Sequence, residues 1–181
     1  MEVAYQDIHR EIVELSKAGN RKAQYQLYKL YSKAMFNICY RMLNSFEEAE
    51  DILQEAFAEA FDKLESFRFE SAFGAWLKRI VVNRCINHLK KRKADLLYTD
   101  NLPDHNQSND DDDFETAHLE VKKVHKAMEI LPEGYRIVFS LYLLEGYDHA
   151  EIADILGITE STSKSQFSRA KLKIKEIIKT L

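Results

Sequence analysis

At 181 residues the chain is long enough to bury a real core, as one domain or as two small ones. No stretch approaches the ~20 apolar residues that span a bilayer, and the opening MEVAYQDIHREIVELSKAGN is charged and polar throughout rather than an export signal. A cytoplasmic protein without membrane insertion is expected.

The formal net charge of −4 argues against a nucleic-acid partner until its distribution is followed. Between Thr99 and His118 stand Asp100, Asp104, Asp110, Asp111, Asp112, Asp113 and Glu115, with no lysine or arginine. Setting those seven acids aside leaves the remainder of the chain at +3. The positive charge is also clustered, because Lys78, Arg79, Arg84, Lys90, Lys91, Arg92 and Lys93 follow one another with no acid among them. Cys39 and Cys85 sit in helical apolar patterns without motif spacing, so they read as small buried hydrophobes rather than a bridge or a metal site.

Glycine and proline are scarce, and the apolar spacing is helical nearly everywhere, which predicts an all-α fold. From Lys22 to Asn44, the residues Leu27, Leu30, Tyr31, Ala34, Ile38 and Met42 mark one amphipathic helix. A second runs from Glu47 to Phe67 on Ile52, Leu53, Ala56, Phe57, Ala60, Phe61 and Leu64. Its Glu48, Asp51, Glu55, Glu59 and Asp62 recur at three- and four-residue steps. That is either a solvated face or an acidic ridge able to dock a basic protein partner.

A third helix runs from about Phe73 to Lys93, with Trp76, Leu77, Ile80 and Val81 inward. Its Arg79, Asn83 and Asn87 fall on one polar stripe that Lys90 and Lys91 extend. Guanidinium and amide groups on one face can read bases, while lysines hold phosphates. Just before it stand Phe67, Phe69 and Phe73, with Trp76 inside it. Rings beside a basic helix can accept unstacked bases, although core packing is the more direct reading for Phe73 and Trp76.

The segment LLYTDNLPDHNQSNDDDDFET cannot bury enough apolar surface to fold and reads as a flexible linker. Helical spacing resumes near Phe114, and His118 to Leu144 supplies two helices separated by Leu131-Pro132-Glu133. A helix-turn-helix follows. Asp148 and Glu151 form a capping box, Gly157 offers a left-handed stop, Ile158 fills the corner, and Thr159 caps the second helix. At about 100° per residue, Ser163, Phe167, Ala170, Ile174 and Ile177 face the core. Ser161, Thr162, Ser165, Ser168 and Arg169 then face outward, flanked by Lys164 and Lys175. Short hydroxyls beside cations suit a DNA major groove; a solvated face is the plainer alternative.

Catalytic chemistry finds no support in these patterns. There is no glycine-rich phosphate loop and no nucleophile elbow, and only Glu115 and His118 show the spacing of a di-iron pair. No enzyme, metal or cofactor is expected.

Taken together, the motifs resemble a bacterial RNA polymerase sigma factor of the extracytoplasmic-function group, from about Asn20 to Lys179. AEDILQEAF resembles the family's polymerase-clamp-binding signature, which implies that Asp51, Gln54 and Glu55 contact the largest subunit's coiled coil. FGAWLKRIVVNRCINHLKKRK resembles the helix that recognises and melts the minus-ten element, implying Arg79, Asn83, Asn87, Lys90 and Lys91 as strand contacts. By the same resemblance the Phe69 to Phe73 loop shelters a flipped base. DHAEIADILGITESTSKSQFSRAKLKI resembles the minus-thirty-five reader, implying Lys164, Ser165, Ser168, Arg169 and Lys171.

The resemblance further implies a docking and minus-ten domain over 1–97, a linker over 98–116 and a minus-thirty-five domain over 117–181. Core RNA polymerase, promoter DNA and an anti-sigma factor are the partners it implies. The chain departs from the usual Gly-Thr-Val-Lys-Ser-Arg with Ser161-Thr162-Ser163-Lys164-Ser165-Gln166, and has Asn87 where aspartate is common. A stand-alone helix-turn-helix regulator and a DNA-free adaptor are the competing readings. Substitution at Asp51, Gln54 and Glu55 separates the regulator from a sigma factor, and both basic stripes disfavour the adaptor.

Overall fold

The computed structural model describes residues 9–96 and 117–181, and every regular element among them is helical. In order these are α1 (Arg10–Lys17), α2 (Arg21–Leu43), α3 (Phe46–Asp62), a 3₁₀ turn (Leu64–Ser66), α4 (Phe73–Leu96), α5 (Ala117–Ile130), α6 (Glu133–Phe139), a π segment (Ser140–Leu144), α7 (His149–Leu156) and α8 (Glu160–Ile178). The all-α expectation is borne out. Contacts group the chain into residues 1–89 and 90–181. The acidic stretch expected as a linker falls almost wholly at 97–116, outside the described residues.

In the first unit, local chemistry fixes the helix ends. Asn20 Oδ1 accepts from the Lys22 and Ala23 amides at 3.0 and 3.2 Å, and α2 ends where Asn44 turns left-handed at φ 55°. The Ser45 hydroxyl takes the Glu48 amide at 3.3 Å, and Glu47 and Glu48 in the first turn of α3 complement its dipole. The buried layer comprises Leu27, Ile38, Met42, Ile52, Ala56, Phe57, Leu77, Val81 and Cys85, among others. Cys39 and Cys85 lie against each other in it, and their hydrogen bond, together with burial, raises the Cys85 thiol well above its ordinary range.

Three boundaries or faces differ from the sequence reading. Leu30 and Ala34 point to solvent, while Ala23, Met35, Cys39 and Leu43 take the inner face of α2. A 23-residue helix with no acid and apolar residues all round gives little contrast from which to pick its inner side. The second helix stops at Asp62 rather than Phe67, and a 3₁₀ turn then carries Leu64 and Phe67 into the core. Trp76 and Ile80, expected inward, are half-buried.

The second unit closes around Ala127, Met128, Leu131, Phe139, Ala170, Ile174 and Ile177. Arg136 is buried within it and donates from Nη1 to the Leu131 carbonyl at 3.1 Å, which satisfies a group at the end of α5. Burial lowers its guanidinium from the ordinary value, and Glu133 opposes that shift. The capping box around α7 is complete: the Glu151 amide donates to Asp148 at 2.8 Å, and the Asp148 amide donates to Glu151 at 2.9 Å. Gly157 is left-handed at φ 67°, and the Thr162 amide donates to Thr159 Oγ1 at 3.1 Å.

Candidate nucleic-acid interface

All five polar residues expected on α4, Arg79, Asn83, Asn87, Lys90 and Lys91, are exposed, and their spacing keeps them on one stripe. Behind it Leu77, Val81, Val82, Cys85, Ile86 and Leu89 are each at most 4% exposed. The stripe is therefore aimed by what packs on its other side.

Arg84 belongs to the same basic run in sequence but turns to α3. Its Nε donates to Glu59, and its Nη1 lies 3.2 Å from Glu55 Oε2. The pairing raises the guanidinium from its ordinary value, chiefly through the Glu59 hydrogen bond. Glu59 is held below the usual carboxylate range, first by Lys63 at 2.6 Å and then by Arg84, while burial opposes both.

The acidic ridge consequently divides. Glu55 and Glu59 hold Arg84, and Glu48 lies 3.5 Å from His88 Nε2, whereas Asp51 and Asp62 stand exposed. Gln54 lines an open hollow of about 210 Å³ between α2 and α3, beside Tyr28, Ser32, Lys33, Phe36 and Leu53.

The aromatic run ahead of α4 forms a cluster. Phe67 and Phe73 are buried, with Phe67 centred 4.8 Å from Phe69 and 5.2 Å from Trp76. Phe69 and Trp76 stay half-exposed, and Phe69 holds a left-handed φ of 58°.

On α8, Lys164, Ser165, Ser168, Arg169 and Lys171 are exposed as expected. Lys164 pairs with Glu160 at 2.5 Å, the Ser165 hydroxyl donates to the Thr162 carbonyl at 3.0 Å, and Lys171 lies over the Phe167 ring at 4.8 Å. Ser168 and Arg169 complete the face. Ser163 is fully buried and hydrogen-bonded to His149 Nδ1 at 2.9 Å, while His149 stacks on Tyr142 at 4.3 Å. Gln166 turns toward α6, its Oε1 3.5 Å from where a Cβ on Gly134 would stand.

Residues 27–94 match the family described as Sigma-70 region 2, and residues 122–174 match Sigma-70, region 4. The chain is also 30% identical to the ECF RNA polymerase sigma factor SigW of Bacillus subtilis, across 91% of this chain and 94% of that one. The chain belongs to the ECF RNA polymerase sigma factors. Other relatives include the ECF sigma factor SigM of Mycobacterium tuberculosis (31% identity, 93% and 83% covered). The ECF sigma-E factor of Haemophilus influenzae is 30% identical, with 99% and 100% covered. The fold is similar to that of the sigma factor RpoE of Bartonella quintana, solved with the anti-sigma factor NepR, at a TM-score of 0.65 and 24% identity over 86% and 96% of the two chains. Sigma factors are not catalysts in their own right, and no helix among this sigma factor's described residues is long and apolar enough to cross a membrane.

Within this sigma factor, sequence reasoning missed the Arg84 ion pairs and the His149–Ser163 bond. Their partners lie 25 or 29 and 14 residues apart, beyond any local spacing rule.

Proposed function

We propose that this sigma factor binds core RNA polymerase and gives it a two-point grip on promoters. The first point is a domain over residues 1–97, the second a domain over 117–181, and residues 98–116 tether them. Asp51, Gln54 and Glu55 dock on the polymerase, with the hollow beside Gln54 receiving an apolar side chain of that partner. Of the three, Glu55 also orients α4 through Arg84, so Asp51 and Gln54 are the cleaner docking residues.

Arg79, Asn83 and Asn87 take the minus-ten strand by its base edges, and Lys90 and Lys91 take its phosphates. Capture of an unstacked base by the rings ahead of α4 offsets part of the stacking lost on melting. Lys164, Ser165, Ser168, Arg169 and Lys171 hold the minus-thirty-five element as duplex. Arg169 is the residue suited to a paired bond with guanine, a contact that contributes about 1–3 kcal/mol of discrimination.

The sigma factor acts in the cytoplasm with its polymerase, and an anti-sigma factor that covers its DNA-facing stripes is the expected regulator. One observation carries the reading: two exposed polar stripes, each backed by a buried core, occur within the region 2 and region 4 matches. Run-off transcription with purified core polymerase across a genomic fragment library tests it. Promoter-dependent starts are expected, and their complete absence overturns it. Asp51→Lys is expected to abolish core binding while leaving duplex DNA binding intact; duplex binding by the wild type without any core binding would favour a stand-alone regulator.

A further inference from the structure

We infer that Arg10 contacts a phosphate of the melted strand, and that Lys17 is the positioning residue that holds the Phe67–Phe69 loop open to it. The inference rests on the assignment of α4 and that loop to single-stranded DNA. Both cations come from α1, which lies before the residue 27 start of the region 2 match.

The loop needs outside support. A phenylalanine at φ 58° sits where bulky side chains are rarely found, so neighbouring groups must hold it there. Lys17 supplies that hold: its Nζ donates to the Phe67 carbonyl at 2.5 Å and lies 4.9 Å from the Phe69 ring centre. From the start of the same helix, the Arg10 guanidinium carbon lies 4.5 Å over that ring. Two like charges thus share one aromatic side chain, and Arg10 has no carboxylate partner among the described residues.

The helix that carries them is firmly placed. Val13 and Ser16 are buried, and His9 at its start is 2.7 Å from the Tyr31 hydroxyl. Tyr31 packs edge-on against Phe73 at 5.2 Å and over Gly74, where an added Cβ would come within 2.9 Å of the ring. One chain of contacts therefore runs from α1 through Tyr31 to the first turn of α4.

The chemistry suits an anion beside a base. A guanidinium seated on a ring uses its face and keeps its edge N–H groups for an oxyanion. The half-exposed Phe69 ring offers stacking surface next to it. A nucleotide laid against Phe69 would bring its own phosphate to Arg10.

A phosphate contact is indifferent to sequence, so a labelled random-sequence single-stranded 14-mer serves as the probe, with a 14-base-pair duplex as control, on the full chain. Arg10→Gln is expected to weaken single-strand binding roughly threefold to tenfold and to lower the salt slope by about 0.7, with duplex binding unchanged. Arg10→Lys should keep the slope. Lys17→Met should accelerate amide exchange over residues 67–71 and weaken the single strand alone. Wild-type affinity and slope in Arg10→Gln, while Lys90→Gln still weakens binding, overturns the inference and leaves the α4 assignment standing. No effect from either variant removes that assignment as well. Equal losses on single strand and duplex would mark Arg10 as a general charge and reject the site, and unchanged exchange in Lys17→Met would reject the positioning role.

Discussion

The two helices proposed to face DNA, α4 and α8, are aimed by different means. Behind the α4 stripe the wall is aliphatic and sulfur-bearing, from Leu77 to Leu89, with the Cys85 thiol bonded to Cys39, and charged pairs lie at its flank, where Arg84 meets Glu55 and Glu59 and His88 approaches Glu48. Behind the α8 face the wall includes a hydroxyl: Ser163 is fully buried, bonded to His149, and the imidazole stacks under Tyr142. Apolar packing is strong but tolerant of small rotations, whereas a buried hydrogen bond is weaker and angularly strict. The first helix is thus fixed mainly by bulk, and the second by an apolar core with a polar key in it.

The largest expected effect tests the first half of that contrast. Leu77 is fully buried, so Leu77→Ala should destabilise the first unit by about 2–5 kcal/mol through lost burial and a residual cavity. The chain's single tryptophan, Trp76, is the neighbouring residue, so urea unfolding followed by its fluorescence reports on this unit. A cost near zero would mean that the wall behind α4 does not hold the stripe in place.

A smaller effect tests the second half. Ser163→Ala leaves the His149 nitrogen without its protein partner and should cost about 1–2 kcal/mol. Ser163→Val, which restores the apolar residue usual in the family, should cost at least as much here, because His149 is shaped to a hydroxyl. A double-mutant cycle with His149→Phe should show coupling of about 0.5–1.5 kcal/mol, read by thermal unfolding and by amide exchange in α7 and α8. Additive costs would reduce the bond to an incidental contact.

How much of this was legible in the sequence follows the reach of each interaction. The capping box at Asp148, the left-handed Gly157 and the Thr159 cap were readable because each partner lies within three or four residues. The core face of α8 was readable because 3.6-residue spacing picks out Ser163, Ala170, Ile174 and Ile177. Ser163 stood out only as a departure from the valine usual in the family, because its partner, 14 residues upstream, could not be located from spacing. The inner face of α2 was misjudged where leucine and alanine at 30 and 34 mimic a stripe that the tertiary packing does not use. Arg84 was placed only in the clustered basic run, because helical phase separates it from Arg79 but cannot show that two glutamates of α3 claim it. The bond from Lys17 to the Phe67 carbonyl spans 50 residues and has no sequence signature.

The smallest effect concerns the flank of α4 and depends on pH. Lys63 and Arg84 hold the folded Glu59 carboxyl below its ordinary value of 4.5. The unfolded chain therefore binds this proton more readily, and stability rises with pH across the interval between the two values. The contribution is complete above about pH 4.5 and fades as pH falls through the lower, folded value. Glu59→Gln should accordingly lower the first unit's urea midpoint slightly at pH 7 and flatten its decline between pH 5 and pH 3. The gap between the two proteins should narrow in about 0.5 M salt, since these groups are partly exposed and screened. Parallel pH curves would show that the pairs contribute nothing. If Glu59→Gln instead weakened single-strand binding as much as Asn83→Ala, the α4 stripe would be held by its ion pairs rather than by the wall behind it, and the contrast with α8 would collapse.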